Sequence, residues 1–194
     1  LRGLSAFSGT PSPALRRALD DIDRAIVDAG AALRADGTAS CWGKSDEGQT
    51  TVPAGSFTTL TAGGDHTCGI RTNATATCWG DDTFGEATAV AGTFTALTAG
   101  IAHSCGIRTN GTVGCWGSNT VGQSDPPDDI FGRPGISAGT NSTCGIQPNA
   151  TVVCWGTDAD GVVSDSPSGE FTVASDGGSH ACALRITATV ACWG

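Results

Sequence analysis

Apolar residues along this chain come in short runs, broken every few positions by Gly, Pro, Asn or Asp. Ser56-Phe57-Thr58-Thr59-Leu60-Thr61-Ala62-Gly63 is one run, and Thr93-Phe94-Thr95-Ala96-Leu97-Thr98-Ala99-Gly100 repeats it. Each is followed by a second run, His66 to Asn73 and His103 to Asn110, and then by a third that closes on Cys-Trp-Gly. Short Thr-rich runs between turn formers predict β-strands and an all-β fold. The amino-terminal stretch differs. Ser12-Pro13 reads as a cap and first helical position, and Leu15, Ala18, Leu19, Ile22 and Ile26 fall at helical spacing. Asp21 to Val27 also reads as a strand, so a short helix followed by a strand is expected there.

The runs recur as a block. Cys-Trp-Gly occurs five times, beginning at Cys41, Cys78, Cys115, Cys154 and Cys192, at intervals of 37, 37, 39 and 38 residues. Self-similarity at this period marks a repeat architecture. It divides the chain into a divergent first unit, 1–43, and four further units, 44–80, 81–117, 118–156 and 157–194. Strands sharing one sequence template suit propeller blades better than a sandwich. Trp42, Trp79, Trp116, Trp155 and Trp193 all occupy one template position. A Trp recurring in this way reads as core between neighbouring units, since its burial removes roughly 150–250 Å² from water.

Eight of the nine cysteines form four pairs ten positions apart: Cys68 with Cys78, Cys105 with Cys115, Cys144 with Cys154, and Cys182 with Cys192. This regularity indicates disulfides and an oxidising compartment, and it lacks the close Cys spacing of structural zinc sites. If Cys68 faces Cys78 across a hairpin, the loop is Thr72-Asn73-Ala74, and its third residue belongs in the left-handed region. Gly37 and Gly111 fill that position, but Ala74 and Ala150 do not, at a cost of about 1 kcal/mol each. Ala31 stands where the first unit would have its first cysteine, which leaves Cys41 without a template partner.

These units resemble repeats of the regulator of chromosome condensation superfamily. The residues that carry the resemblance are Trp-Gly followed by Gly48-Gln49-Thr50-Thr51-Val52-Pro53-Ala54, then Ala-Gly-x-x-His-Ser/Thr at Ala62 to Thr67 and Ala99 to Ser104. The short unit, of roughly 38 residues, is similar to that of propellers of the β-lactamase inhibitory protein II type, and the cysteine pairs look like those of mastigoneme-type extracellular glycoproteins. The resemblance implies a β-propeller that acts through protein–protein contact: nucleotide exchange on a small GTPase, inhibition of a secreted enzyme, or a part in a surface or filament glycoprotein. Disulfides argue against an exchange factor, which would work in a reducing compartment. Five units in one phase fit either a five-bladed ring or an arc of a larger propeller. Leu1 in place of Met reads as a mature or excised piece of a longer precursor.

Composition narrows the function classes. The net charge of −9, with Lys44 the single lysine, disfavours phosphate backbones and anionic membrane surfaces. No apolar run approaches the ~20 residues that span a bilayer. His66, His103 and His180 share one template position, with Ser142 in the fourth unit, and no carboxylate or nucleophile recurs in register with them. They read as hydrogen-bonded side chains that fix the turn before the cysteine strand, with no catalytic, cofactor or metal role. Asp46, Glu47, Asp81, Asp82, Asp158 and Asp160 scatter over polar loops without a calcium-binding spacing, and Asp125 to Asp129 reads as an irregular loop. Asn-x-Thr acceptors fall at Asn73, Asn110 and Asn149, all at hairpin tips, and at Asn141 beside a cysteine strand. The chain is therefore expected to be a non-catalytic, extracellular or cell-surface structural repeat protein. Its expected partners are proteins, including copies of itself in a filament, with attached glycans, no nucleic acid and no membrane insertion. A module that inhibits a secreted enzyme is the alternative.

Overall fold

The computed structural model describes residues 30–132 and 135–194. The stretches expected to form a helix from Ser12 or a strand at Asp21 to Val27 lie outside the described residues. Within them every regular element is a β-strand. A two-stranded sheet comes first, β1 (Gly30–Leu33) with β2 (Ala39–Trp42). Four three-stranded antiparallel sheets follow. They are β3 (Phe57–Ala62), β4 (His66–Arg71) and β5 (Ala76–Gly80); β6 (Phe94–Ala99), β7 (His103–Arg108) and β8 (Val113–Gly117); β9 (Ile136–Ala138), β10 (Ser142–Ile146) and β11 (Val152–Gly156); and β12 (Phe171–Asp176), β13 (Ala181–Arg185) and β14 (Val190–Trp193).

The cysteine spacing sets the register of each hairpin. Cys68, Cys105, Cys144 and Cys182 lie directly opposite Cys78, Cys115, Cys154 and Cys192. The paired Cα atoms stand 4.0–4.1 Å apart and the sulfurs are bonded. Such close approach belongs to the non-hydrogen-bonded pairs of an antiparallel ladder. Each hairpin turns through three residues with the third in the left-handed region: Gly37, Ala74, Gly111, Ala150 and also Ala188, whose φ is 62°. Alanine in that conformation is strained, and the side chain before it offsets the strain. The Asn73 Oδ1 accepts from the Thr75 backbone N–H (3.1 Å) and the Thr75 hydroxyl (2.8 Å), and Asn110 and Asn149 do the same for Thr112 and Thr151.

Sheets pack on one another in chain order. β1 lies against β3, β3 against β6, β6 against β9, and β9 against β12. The last three of these contacts each hold a small apolar core between two blades. Cys68 and Ile70 of one sheet meet Phe94 and Trp116 of the next. Cys105 and Ile107 meet Phe131 and Trp155, and Cys144, Ile146 and Val152 meet Phe171 and Trp193. Phe and Trp of one blade form a single aromatic wedge, with ring centroids 5.6–6.0 Å apart in three blades. The wedge is fixed by backbone: the Trp79, Trp116, Trp155 and Trp193 indoles donate to the carbonyls of Gln49, Glu86, Gln123 and Val162. Trp42 departs from the expected core role and stands 47% exposed. The other indoles are received by a loop about thirty residues earlier, and for Trp42 that position lies outside the described residues.

Candidate interaction surfaces

Blade junctions hold most of the residues that the sequence singles out. Cys68, Cys105 and Cys144 are fully buried there, so each disulfide closes its own hairpin and also forms part of the wall on which the next blade rests. His66 and His103 are also fully buried. They do not simply brace their own turns. His66 Nε2 bonds the Ser104 hydroxyl (2.7 Å) and His103 Nε2 bonds the Thr143 hydroxyl (2.9 Å), in each case across to the following blade. Burial drops both imidazoles to a pKa of about 4, so both are neutral at physiological pH. Their Nδ1 atoms have no partner. His180, by contrast, is exposed. Glycine precedes each of these turns because the inner strands of adjacent blades touch there. A side chain at Gly63 would strike the Gly100 carbonyl and the His66 ring, and one at Gly100 would strike the Gly139 carbonyl and the His103 ring.

A second recurring group escaped the sequence reading. Gln49, Glu86 and Gln123 are almost completely buried, and each side-chain oxygen accepts from the backbone N–H two residues earlier. Their backbone carbonyls receive the indoles, so one residue fixes both the loop and the Trp. Burial holds the Glu86 carboxyl above the usual range. The signal was present as Gly48-Gln49, Gly85-Glu86 and Gly122-Gln123 at equal distances after Trp-Gly. Arg71, Arg108 and Arg185 were also missed. Each guanidinium lies 4.8–5.3 Å from a ring centroid, over Phe57, Phe94 and Phe171 respectively, and donates to a carbonyl of the preceding loop.

The two ends of the blades differ in chemistry. One end carries the hairpin tips, with Asn73, Asn110 and Asn149 exposed. Here the carbonyls of Gly37, Ala74, Gly111 and Ala150 accept from the N–H of Phe57, Phe94, Phe131 and Phe171 in the next unit. Asn141 is half-buried, and its Oδ1 lies 3.5 Å from the Gln123 Nε2. The other end carries the polar loops and the inner-strand turns, joined by bonds such as Asp81 N–H to the Asp65 carbonyl and Ser118 N–H to the Ala102 carbonyl. Phe84, Ile101 and Val121 are exposed at this end, as Ile130 and Ile186 are at the hairpin-tip end. An open depression of about 310 Å³ is lined here by Gly63, Gly100, Gly139 and Asp176.

The remaining expected residues have local roles. The Asp81 carboxylate accepts from the Thr83 hydroxyl and N–H, which holds its pKa below the usual range. Asp158 is lowered by the N–H groups of Ser164 and Val163. Lys44 pairs with Asp65 at 3.3 Å and Asp46 at 3.6 Å, both exposed. Asp125 to Asp129 forms no regular element. Cys41 is a free thiol opposite Ala31, and burial pushes its pKa up, so it is a poor nucleophile. Among the described residues no three His, Cys, Asp or Glu side chains group as metal ligands, and no helix is long and apolar enough to cross a membrane.

Residues 57–86 and 94–123 match the family described as the regulator of chromosome condensation (RCC1) repeat. No curated protein sequence matches the chain. Among solved structures it is similar to the entire ectodomain of the receptor kinase CR4 from Physcomitrella patens, with 32% identity and a TM-score of 0.74, over 84% of this chain and 48% of that one. It is also similar to the CRINKLY WD40 ectodomain of the receptor kinase ACR4 from Arabidopsis thaliana, with 26% identity and a TM-score of 0.65, over 81% and 59%. Prp20p from Saccharomyces cerevisiae, whose structure is described with its binding to Gsp1p and histones, shares the fold at 13% identity and a TM-score of 0.68, over 87% and 56%. The chain spans about half the length of the ectodomains it matches. Its fold is all-β, with disulfide-stapled sheets like the blades of the β-propellers it is similar to.

Proposed function

We propose that the chain is a non-catalytic repeat module of an extracellular or cell-surface protein, and that it works by holding other proteins in an assembly. The observation that carries this reading is the position of the disulfides. Cys68, Cys105 and Cys144 are buried in the cores between blades, so packing of the whole array depends on oxidation, which an extracellular compartment supplies. The likeness to two receptor ectodomains supports the same compartment. The division of chemistry between the ends supports a protein partner. Glycans on Asn73, Asn110 and Asn149 would coat the hairpin-tip end, leaving the end with Phe84, Ile101 and Val121 free for contact.

Within this reading the finer role is a building unit of a surface layer or filament. Labelling intact source cells with a membrane-impermeant reagent, followed by electron microscopy of the native material, tests it. Surface labelling and extended assemblies are expected. Isolated soluble particles that bind and inhibit a secreted enzyme would replace it with the inhibitor reading.

A further inference from the structure

We propose that the junction between the β9–β11 and β12–β14 sheets binds a monovalent metal cation, of the sodium or potassium class, between Asp176 and Ser142. Three departures from the repeat template meet at this junction. In the histidine junctions an imidazole crosses to a hydroxyl, His66 to Ser104 and His103 to Thr143. Here Ser142 stands at the histidine position and Ala181 at the hydroxyl position. Directly opposite Ala181 lies Asp176, whereas Ala62, Ala99 and Ala138 lie opposite Thr67, Ser104 and Thr143. Thr67 carries its hydroxyl to the Gln49 carbonyl, so the hydroxyl position alone does not call for a histidine. The carboxylate is the departure that occurs in one sheet of the four.

That carboxylate fills the place of the imidazole, from the other side of the junction. The His66 and His103 rings lie where a side chain on Gly63 or Gly100 would point, and at Gly139 the Asp176 carboxylate lies there instead. Two bonds fix it. The Asp176 N–H donates to Ser137 Oγ across the junction (3.0 Å), and Asp176 Oδ1 accepts from the Gly178 N–H (3.0 Å). Asp176 Oδ2 is buried without a partner, and so is the Ser142 hydroxyl. The histidine junctions also leave an unpaired atom each, Nδ1, but those rings are neutral at physiological pH. A carboxylate oxygen carries charge, and taking it out of water unpaired costs far more than a neutral group does. Among the described residues the ion pairs are those of Lys44, and none reaches Asp176.

The donors identify the guest. Both free atoms are oxygens, which suit hard cations rather than zinc or copper. One carboxylate balances one positive charge. A divalent ion would leave net charge buried in the junction, and calcium takes about six to eight oxygen ligands. Asp176 and Gly139 also line the open depression of about 310 Å³, which gives a hydrated ion a route to the junction.

The test compares thermal melting of the full chain in sodium, potassium and tetramethylammonium chloride at equal ionic strength, the last cation being too large to enter. A triple variant, Ser142→His with Ala181→Ser and Asp176→Ala, rebuilds the arrangement of the histidine junctions. The native chain is expected to melt about 4 °C higher for each tenfold rise in sodium or potassium above half-saturation, relative to tetramethylammonium. The triple variant is expected to melt alike in all three salts. Asp176→Asn, with nearly the same shape and no charge, is expected to lose the difference too, and it decides the matter if the triple variant does not fold. Broadening of the sodium NMR line by the native chain, but by neither variant, is expected as a readout independent of stability. Equal melting of the native chain in all three salts overturns the site. A salt difference or line broadening that both variants retain places the ion elsewhere and also overturns it.

Discussion

Cys68–Cys78 and Cys182–Cys192 occupy the same place in the same hairpin, ten residues apart and next to the same Trp position. Their surroundings differ. Cys68 is fully buried under Phe94 and Trp116 where Cys182 is half-buried, and Cys78 is half-buried where Cys192 is exposed. Nothing within either unit accounts for this; the wedge of Phe94 and Trp116 over Cys68 does. Burial in this molecule belongs to the junction and not to the unit. Trp42 makes the same point from the other direction: it has the template position of Trp79 and Trp116 but, among the described residues, no loop carbonyl that receives its indole.

The largest effect that would break this comparison comes from removing the disulfides. Replacing Cys105 and Cys115 by alanine, or Cys182 and Cys192, should in either case remove about 3 kcal/mol of chain-entropy stabilisation for so short a loop. The first pair should lose about 1–2 kcal/mol more, because buried sulfurs leave a void. Urea midpoints read the difference, and equal losses would mean that the junction contributes nothing. Next in size, Trp116→Ala should cost about 4 kcal/mol, but Trp42→Ala only about 1 kcal/mol. Thermal unfolding of the two variants gives the ratio.

The histidine junctions predict a pH dependence. His66 and His103 have folded pKa values of about 4 against 6.5 unfolded, so the unfolded chain binds more protons between those values. Stability is therefore full above pH 6.5 and falls as pH drops toward 4, by up to about 3 kcal/mol per imidazole. His103→Asn should flatten part of that slope in pH-resolved urea titrations. Glu86 acts with the opposite sign. Its raised pKa means that ionisation above it destabilises the fold, so Glu86→Gln should add about 1 kcal/mol at pH 7. That gain should shrink at acidic pH, where Glu86 is protonated. The smallest effect concerns the hairpin tips. Asp36 already makes the bonds to Thr38 that Asn73 makes to Thr75. Asn73→Asp should change stability by less than about 0.5 kcal/mol while removing a glycan acceptor, so a mobility shift on sugar removal should diminish with no change in melting temperature.

How far the fold could be read from the sequence follows the same division. Local features were legible. Cys-Trp-Gly gave the period, ten-residue spacing gave the hairpin, and Ala74 and Ala150 were recognisable as strained tips because all of these are set within one unit. Contacts between units were not. His66 was expected to serve its own turn, and nothing along the chain says that its partner is Ser104, one repeat away. The burial of Trp42 was read from its template position, which carries no record of what covers it. Asn-x-Thr at the tips was read as a glycan signal, but the same residues close the turn through Oδ1, so two causes act on one motif. Gln49, Glu86 and Gln123 stand in register and were passed over because polar residues in a loop look solvated until the carbonyl they place is seen to hold an indole.

The full burial of Cys68, Cys105 and Cys144 has a consequence for biosynthesis. Each hairpin is local, and its thiols meet as soon as some ten residues have emerged. Once the next blade arrives, its Phe and Trp cover the first cysteine of the pair and slow its access to an oxidising enzyme. Oxidation must then keep pace with translocation, one unit at a time from the amino terminus. A thiol pair overtaken by the blade behind it is locked in the reduced state until that blade comes off again. In secretory cells, slowing the supply of oxidant should therefore leave a mixture of chains, each carrying dithiols at different earlier units, and not a uniform population that oxidises late.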